Sequence, residues 1–235
     1  MTDTDAAKAA ARARYKALRS DARRAWTDSS APEVAMARHL SDARILAPDA
    51  IVGCYMPIGD EIDPIRILTA AASELQSTAE PESTAAPGST AEPKSTAVEP
   101  TSGDRAQLIT ALPVMRGRGQ PLDFHSWQRG DPLETVQWGI REPTASAPSV
   151  RPSVLLVPLL AVDAQGYRLG YGGGFYDRTL GGLRRDGGPP IIAVGLAFDQ
   201  QCVDALPRDA YDAPVDALLT PKRFTWLTHR ADASA

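Results

Sequence analysis

Val154-Leu-Leu-Val-Pro-Leu-Leu-Ala-Val162 runs through Asp163-Ala-Gln into Gly166-Tyr-Arg-Leu-Gly-Tyr-Gly-Gly-Gly-Phe-Tyr-Asp-Arg178. Residues 154–160 are a continuous apolar run, the pattern of a central strand buried on both faces. Pro158 cannot donate to a ladder, so it marks a bulge or the strand's end. The glycine-rich turn then opens a helix predicted to reach about residue 183. Strand, glycine turn and helix in that order form half of a parallel crossover unit, so the remainder of the chain decides how far the alternation extends.

It extends in both directions. Downstream, residues 191–195 read as a second buried strand and 217–220 as a short last one. Upstream, 107–114 and 122–127 read as strands separated by Arg116-Gly-Arg-Gly119, and the Pro-, Ser- and Ala-rich stretch 141–153 reads as a connecting loop. Residues 51–56 (IVGCYM) form a further buried strand, followed by the loop 57–61. Asp63-Pro64 has the chemistry of an N-cap and first helical position, and a helix to about residue 75 follows. Near the N-terminus, Ala11, Tyr15, Leu18, Ala22 and Trp26 recur at three- and four-residue steps and give a helix over 5–28 one apolar stripe. Ser30-Ala-Pro-Glu33 fits a capping box that starts a second helix running to about residue 45. The predicted fold is α/β: a single three-layer domain with a mainly parallel sheet, formed by residues 1–76 and 105–235.

Residues 77–104 interrupt that domain. Within them, 77–100 divide into four hexapeptides, STAEPE, STAAPG, STAEPK and STAVEP, with Val98 the one large aliphatic side chain. Such a composition cannot bury enough apolar surface to offset its ordering entropy, so a disordered low-complexity insertion is expected.

Composition narrows the function classes. The formal net charge is -4 over 235 residues, and no basic field suited to coating nucleic acid stands out. Cys54 and Cys202 have neither C-x-x-C nor zinc-like spacing and read as two reduced thiols. The N-terminus lacks an apolar signal core, and the longest apolar run is too short to span a bilayer, so a cytoplasmic protein is expected, with neither nucleic acid nor membrane as partner. His39, His125 and His229 show no pairing that suggests a metal site or a triad. Trp127 and Trp138 read as packing residues.

The chemistry gathers around the glycine turn. Gly170 and Gly172 to Gly174 allow positive φ and close approach of the backbone to a ligand. Successive N–H groups at a helix start bind phosphate oxygens, and Arg168 can add a forked, charge-assisted contact. The turn is neither a Walker A loop nor a dinucleotide fingerprint, since no Gly-Lys-Ser/Thr follows and Phe175 stands where the third glycine would be.

The run VPLLAVDAQGYRLGYGGGFYDRTL resembles the signature of the 5-formyltetrahydrofolate cyclo-ligase family, an apolar strand followed by R-L-G-x-G-x-G-[YF]-Y-D. YKALR at 15–19, YMPIGDEID at 55–63, and VGLAFDQQ at 194–201 with LPRDAYDAPVDALLT at 206–220 resemble three further family segments, in order. The resemblance implies transfer of ATP's γ-phosphoryl group to the formyl oxygen of 5-formyltetrahydrofolate, ring closure by N10, and release of phosphate with 5,10-methenyltetrahydrofolate. The alternative is a non-catalytic member of the fold that binds nucleotide or folate.

The resemblance also implies residue roles. Arg168, Leu169, Gly170, Tyr171, Gly172, Gly173, Gly174, Phe175 and Tyr176 match the ATP loop, with Arg168 and Tyr176 the catalytic candidates. Tyr171, Gly172, Gly173, Gly174 and Phe175 also face the folate, together with Met56 and Glu61 of the substrate loop. Asp177 and Asp212 match Mg²⁺ ligands, while Asp216 reads as a structural cap. Arg19 and Lys16 are the ATP-phosphate candidates of the first helix. There the chain departs from the family, whose lysine stands four residues before its arginine; that position is Tyr15, and Lys16 is only three before.

Overall fold

The computed structural model describes residues 3–26, 31–47, 49–77 and 108–227. The predicted hexapeptide insertion lies outside the described residues apart from Ser77, as does Ser30 of the predicted capping box. In chain order the elements are α1 (Asp3–Arg24), α2 (Ala31–Asp42), β1 (Ile51–Gly53), α3 (Pro64–Ser77), β2 (Ile109–Met115), β3 (Leu122–Ser126), β4 (Leu133–Thr135) and β5 (Arg141–Pro143). They continue with β6 (Val154–Val157), β7 (Ala161–Asp163), β8 (Arg168–Leu169), α4 (Phe175–Arg185), β9 (Ile192–Leu196), β10 (Cys202–Val203), β11 (Ala217–Leu219) and β12 (Phe224–Trp226).

Seven strands form the main sheet in the order β12-β11-β9-β6-β1-β2-β3. The five inner strands pair in parallel, and β3 and β12 close the edges antiparallel. This is the α/β architecture expected, with β6 at its centre. All four residues of β6 are buried, and they alternate between two cores. Val154 and Leu156 pack with Met36 and Leu40 of α2 and Ile67 and Leu68 of α3; Leu155 and Val157 pack with Leu180 of α4 and Phe124. Helices on both faces are why this strand reads as unbroken apolar sequence rather than an alternation.

Pro158 ends β6. Lacking an N–H, it lets the chain leave the main sheet, and Ala161 to Asp163 begin a second, three-stranded sheet in the order β10-β7-β8. The predicted strand 154–160 is therefore shorter. Gln201, fully buried, donates to the carbonyls of Leu159 and Leu160 at 3.0 and 3.1 Å and fixes this departure. The loop expected over 141–153 is corrected at its start, where β5 pairs with β4 as a hairpin.

Helix α1 packs on the small sheet, with Tyr15 buried among Leu160, Ala161, Leu169 and Leu206. Its C-terminal part meets the larger core through Ala22 and Trp26. Glu33 ties three helices together: its Oε1 accepts from Arg23 Nη1 at 2.6 Å and from the Asp63 N–H at 3.3 Å. Asp63 caps α3 as expected, accepting the N–H groups of Ile65 and Arg66 at 2.9 and 3.3 Å. Cys54 is buried, Cys202 exposed, and both are free thiols. Trp127 is buried in the core; the Trp138 side chain lies outside the described residues.

Candidate active site

Strand β8 delivers Arg168 and Leu169 to the glycine turn, which leads directly into α4. Leu169 points into the small core, so only its backbone faces the turn. Gly172 has φ +99° and Gly174, the residue capping α4, has φ +63°, both in the left-handed region that favours glycine. A Cβ on Gly172 would come within 3.1 Å of the Arg12 guanidinium. The loop's carbonyls are strapped by arginines: Arg12 Nε donates to Gly170 O at 3.1 Å, and Arg178 donates to Gly173 O. The backbone N–H groups of Tyr171, Gly172, Gly173 and Gly174 have no acceptor among the described residues. The turn thus presents free N–H groups at the start of a helix, the arrangement that receives phosphate oxygens.

Next to the turn, Arg168 is buried. Its Nη2 pairs with Asp177 Oδ1 at 3.1 Å, and its Nη1 donates to Ala213 O. The Ala213 N–H closes the ring by donating to the same Asp177 oxygen at 3.1 Å. Burial lowers the pKa of Arg168, while Asp177, Tyr176 and Asp212 act against that fall; a guanidinium remains charged regardless.

Asp212, adjacent to Ala213, accepts from Lys8 Nζ at 2.6 Å and from the Asp209 N–H at 2.8 Å, both on Oδ2. Lys8 also reaches Asp209 at 3.0 Å. Burial works against the Lys8 charge, but the hydrogen bonds to Asp212 and Asp209 win, and its pKa lies above the ordinary lysine value. Asp177 Oδ2 and Asp212 Oδ1 accept no hydrogen bond among the described residues. That donor set suits Mg²⁺, which takes one or two carboxylates and draws its other ligands from phosphate and water. No group of three or more His, Cys, Asp or Glu side chains converges as a metal cage among the described residues.

The substrate-loop acid completes the arrangement. Glu61, 6% exposed, accepts Arg19 Nη1 at 3.2 Å and the Ile58 N–H at 2.9 Å. Arg19, itself 3% exposed, uses Nη2 to reach the Tyr171 hydroxyl at 2.6 Å, and its guanidinium lies 5.6 Å from the Tyr171 ring centre. Ser20 donates to Asp60 and pins the same loop to α1. Burial raises the Glu61 pKa, opposed by the Ile58 N–H and by Arg19. Tyr176 is partly buried; burial, then the Glu61 charge, push its pKa up, so it serves as a neutral phenol. Phe175 is partly buried against the α4-side core, with Arg178 5.7 Å from its ring centre. Met56 packs against the edge of the larger core.

Two placements differ from expectation. Lys16 is exposed and makes none of these contacts. Arg19 faces Glu61 rather than the free N–H groups of the turn. The basic residues of α1 that reach the loop's backbone and Asp212 are Arg12 and Lys8. They stand four residues apart, the family's own lysine–arginine spacing, and that spacing is the signal by which the sequence offers them. Asp216 serves a structural bracket: its Oδ2 accepts the Ala193 N–H at 2.7 Å and Arg184 Nη2 at 3.0 Å. A surface cavity of about 520 Å³ beside Cys202, Arg223 and Trp226 shares no residue with this cluster.

A profile of the 5-formyltetrahydrofolate cyclo-ligase family matches residues 4–221. The chain is 36% identical to the 5-formyltetrahydrofolate cyclo-ligase of Escherichia coli K12 over 126 residues, 52% of this chain and 66% of that protein. It is 41% identical to the Haemophilus influenzae protein of the same name over 92 residues, 37% of this chain and 48% of that protein. The matched stretches therefore span less than two thirds of these relatives. In fold, it is similar to the 5,10-methenyltetrahydrofolate synthetase of Aquifex aeolicus, with a TM-score of 0.58 at 23% identity over 94% of this chain and 92% of that one. The Mycoplasma pneumoniae synthetase gives 0.53 at 17% identity over 94% and 99%. The profile spans most of the chain, and the relatives and the fold agree with it: the chain belongs to the 5-formyltetrahydrofolate cyclo-ligase family.

Proposed function

We propose that this protein uses ATP to cyclise 5-formyltetrahydrofolate to 5,10-methenyltetrahydrofolate. The observation that carries the reading is the row of free N–H groups at Tyr171 to Gly174, with Arg12 against Gly170 and Gly172, Arg168 just before the turn, and Glu61 joined to Tyr171 through Arg19. The formyl oxygen is a poor leaving group. Transfer of the γ-phosphoryl group to it, with loss of ADP, makes it a good one. N10 then bonds to the formyl carbon, phosphate departs with that oxygen, and the N10 proton is lost to solvent.

The chain's residues divide this work. The glycine-turn N–H groups and Arg12 hold the triphosphate, and Arg168 faces the charge that spreads over the transferred group. Tyr176 stays neutral and can donate at the reacting oxygen. Glu61, kept beside Arg19, accepts donors of the pterin ring, and Met56, Tyr171 and Phe175 wall the folate. Mg²⁺, held by Asp177 and Asp212 when bound, neutralises phosphate charge. The substrates are small molecules, and the cytoplasm is the compartment proposed; among the described residues no helix is long and apolar enough to cross a membrane.

Purified protein given ATP, Mg²⁺ and 5-formyltetrahydrofolate should form the methenyl product, read by its near-ultraviolet absorbance, with one ADP per product. Tight binding of ATP and folate without turnover would instead identify a non-catalytic binding member. The assignment of the helix cations is tested by substitution. Lys8→Ala should raise the KM for ATP by about tenfold or more, the loss of a charge-assisted phosphate contact, and Lys16→Ala should change it less than about twofold. The reverse order would restore Lys16.

None of the residues given a role above lies in the hexapeptide repeats. Deleting residues 77–100 is expected to leave kcat within about twofold, because lengthening or shortening a surface connection costs little. A large loss of turnover would make the repeats part of the machinery.

A further inference from the structure

Lys8 Nζ lies 2.6 Å from Asp212 Oδ2 and 3.0 Å from Asp209 Oδ2. Asp212 is a carboxylate that the proposed function gives to magnesium, so one of its oxygens is already neutralised by a cation of the chain itself. Arg168 performs the same service for Asp177 but is fixed there, its fork split between that carboxylate and the Ala213 carbonyl. Lys8 differs in kind. Its ammonium is a point charge on a flexible stem and can change partners without losing a planar geometry. Its residue is 8% exposed, so it needs an anionic partner wherever it sits. Asp209, whose side chain is 45% exposed, offers a second and better hydrated hold. While Lys8 lies on these two acids it is not free for phosphate.

We propose that Lys8 is a stand-in cation: it holds Asp212 in the nucleotide-free protein and passes to the triphosphate when magnesium claims that carboxylate. Asp212 then has a counter-charge in both states, and Lys8 has an anion in both. The exchange links the two ligands. Metal alone must push a buried ammonium off its closer acid and leave it with the half-exposed Asp209 alone, whereas metal arriving with a triphosphate supplies Lys8 with its next partner. The free protein therefore takes up divalent metal poorly, and nucleotide and metal bind together. The proposal rests on Asp212 being a metal carboxylate.

Removing Lys8 should move the two affinities in opposite directions, which a merely structural lysine would not do. The test uses Mn²⁺ as the probe, with free ion followed by its electron paramagnetic resonance signal, on the full chain with and without ATP. Without nucleotide, Lys8→Met should bind Mn²⁺ at least about tenfold more tightly than wild type, within the usual range of coupling between sites, while its affinity for ATP falls. Equal Mn²⁺ affinity in Lys8→Met and wild type, with ATP-dependent metal binding lost in Asp212→Asn, overturns the exchange and leaves the functional reading standing. Undiminished metal binding in Asp212→Asn with ATP present overturns the metal assignment and the exchange together. If Lys8→Met does not fold, the wild-type chain still decides. It has lysine only at positions 8, 16, 94 and 222, so ¹³C-dimethylation, which keeps the charge, gives few signals. Each can be assigned with the Lys16→Arg, Lys94→Arg and Lys222→Arg variants. The Lys8 signal should shift on adding ATP with Mg²⁺; a signal that stays in place means that Lys8 never leaves Asp212.

Discussion

Arg168→Met is expected to lower kcat/KM for ring closure by about a thousandfold, the scale on which charge-stabilising donors act on a transferring group. The same variant should lose stability. Arg168 is 4% exposed in its side chain and Asp177 25%. Methionine would leave the carboxylate with only the Ala213 N–H and strand the Ala213 carbonyl. Breaking a buried pair from one side costs about 3–5 kcal/mol, and the partial exposure of Asp177 brings this toward the lower end, a fall in Tm of roughly 5–10 °C for a domain of this size. Arg168→Lys separates the two roles. A lysine keeps the charge beside Asp177 but cannot fork between a carboxylate and a carbonyl while facing phosphate, so it should recover more of the Tm than of the turnover. Calorimetry and steady-state kinetics on both variants read this directly. Turnover within tenfold of wild type in Arg168→Met would reduce Arg168 to a bracket between β8 and the loop at Ala213.

Fold and site were not equally legible. Strand β6 could be read because burial on both faces leaves an uninterrupted apolar run, and Pro158 correctly flagged a break. The second sheet could not, because β8 and β10 are two residues long and draw their stability from contacts distant in sequence, through α1 and Gln201. The β4–β5 hairpin was hidden by the Pro- and Ser-rich composition that follows it. In the site, the glycine turn declared itself through four glycines in five positions, two of them at positive φ. The basic pair of α1 did not. Arg12 and Arg19 are seven residues apart, close to two helical turns, so they occupy nearly the same face and periodicity cannot separate them. What separates them is tertiary: α1 lies so that Arg12 meets the backbone of the glycine turn, while Arg19 lies between Glu61 of the substrate loop and the Tyr171 hydroxyl. Only the four-residue spacing of Lys8 and Arg12 carried that information locally, and Tyr15 at the matching place before Arg19 is a core residue.

That division of α1 makes Arg19→Met the most informative change on the folate side. With the guanidinium gone, Glu61 would retain only the Ile58 N–H and the Tyr171 hydroxyl as partners in an apolar surrounding, and a carboxylate so placed takes up a proton more readily. The sign of the pH effect follows. Burial already sets the native Glu61 pKa above the ordinary value of about 4.3. Between that value and the raised one, the folded protein binds a proton that the unfolded chain has released, so stability falls as pH rises across the window and the penalty is complete above it. Losing Arg19 lifts the native value further and widens the window toward neutrality. The Tm difference between wild type and Arg19→Met should therefore grow with rising pH. In the proposed function Glu61 acts as an acceptor for the folate, so the acid limb of kcat/KM for 5-formyltetrahydrofolate should move to higher pH, and KM near neutrality should rise about tenfold. Tyr171, released from Arg19, would tether the glycine turn only through its hydroxyl's bond to Glu61, and the looser turn would add to that loss. The double variant Arg19→Met/Glu61→Gln decides between charge and packing. It removes both buried charges, so it should be more stable than Arg19→Met alone, and the Glu61-dependent limb should vanish from its pH profile. A limb that persists in the double variant would belong to another group, and Glu61 would no longer be the acid that reads the folate.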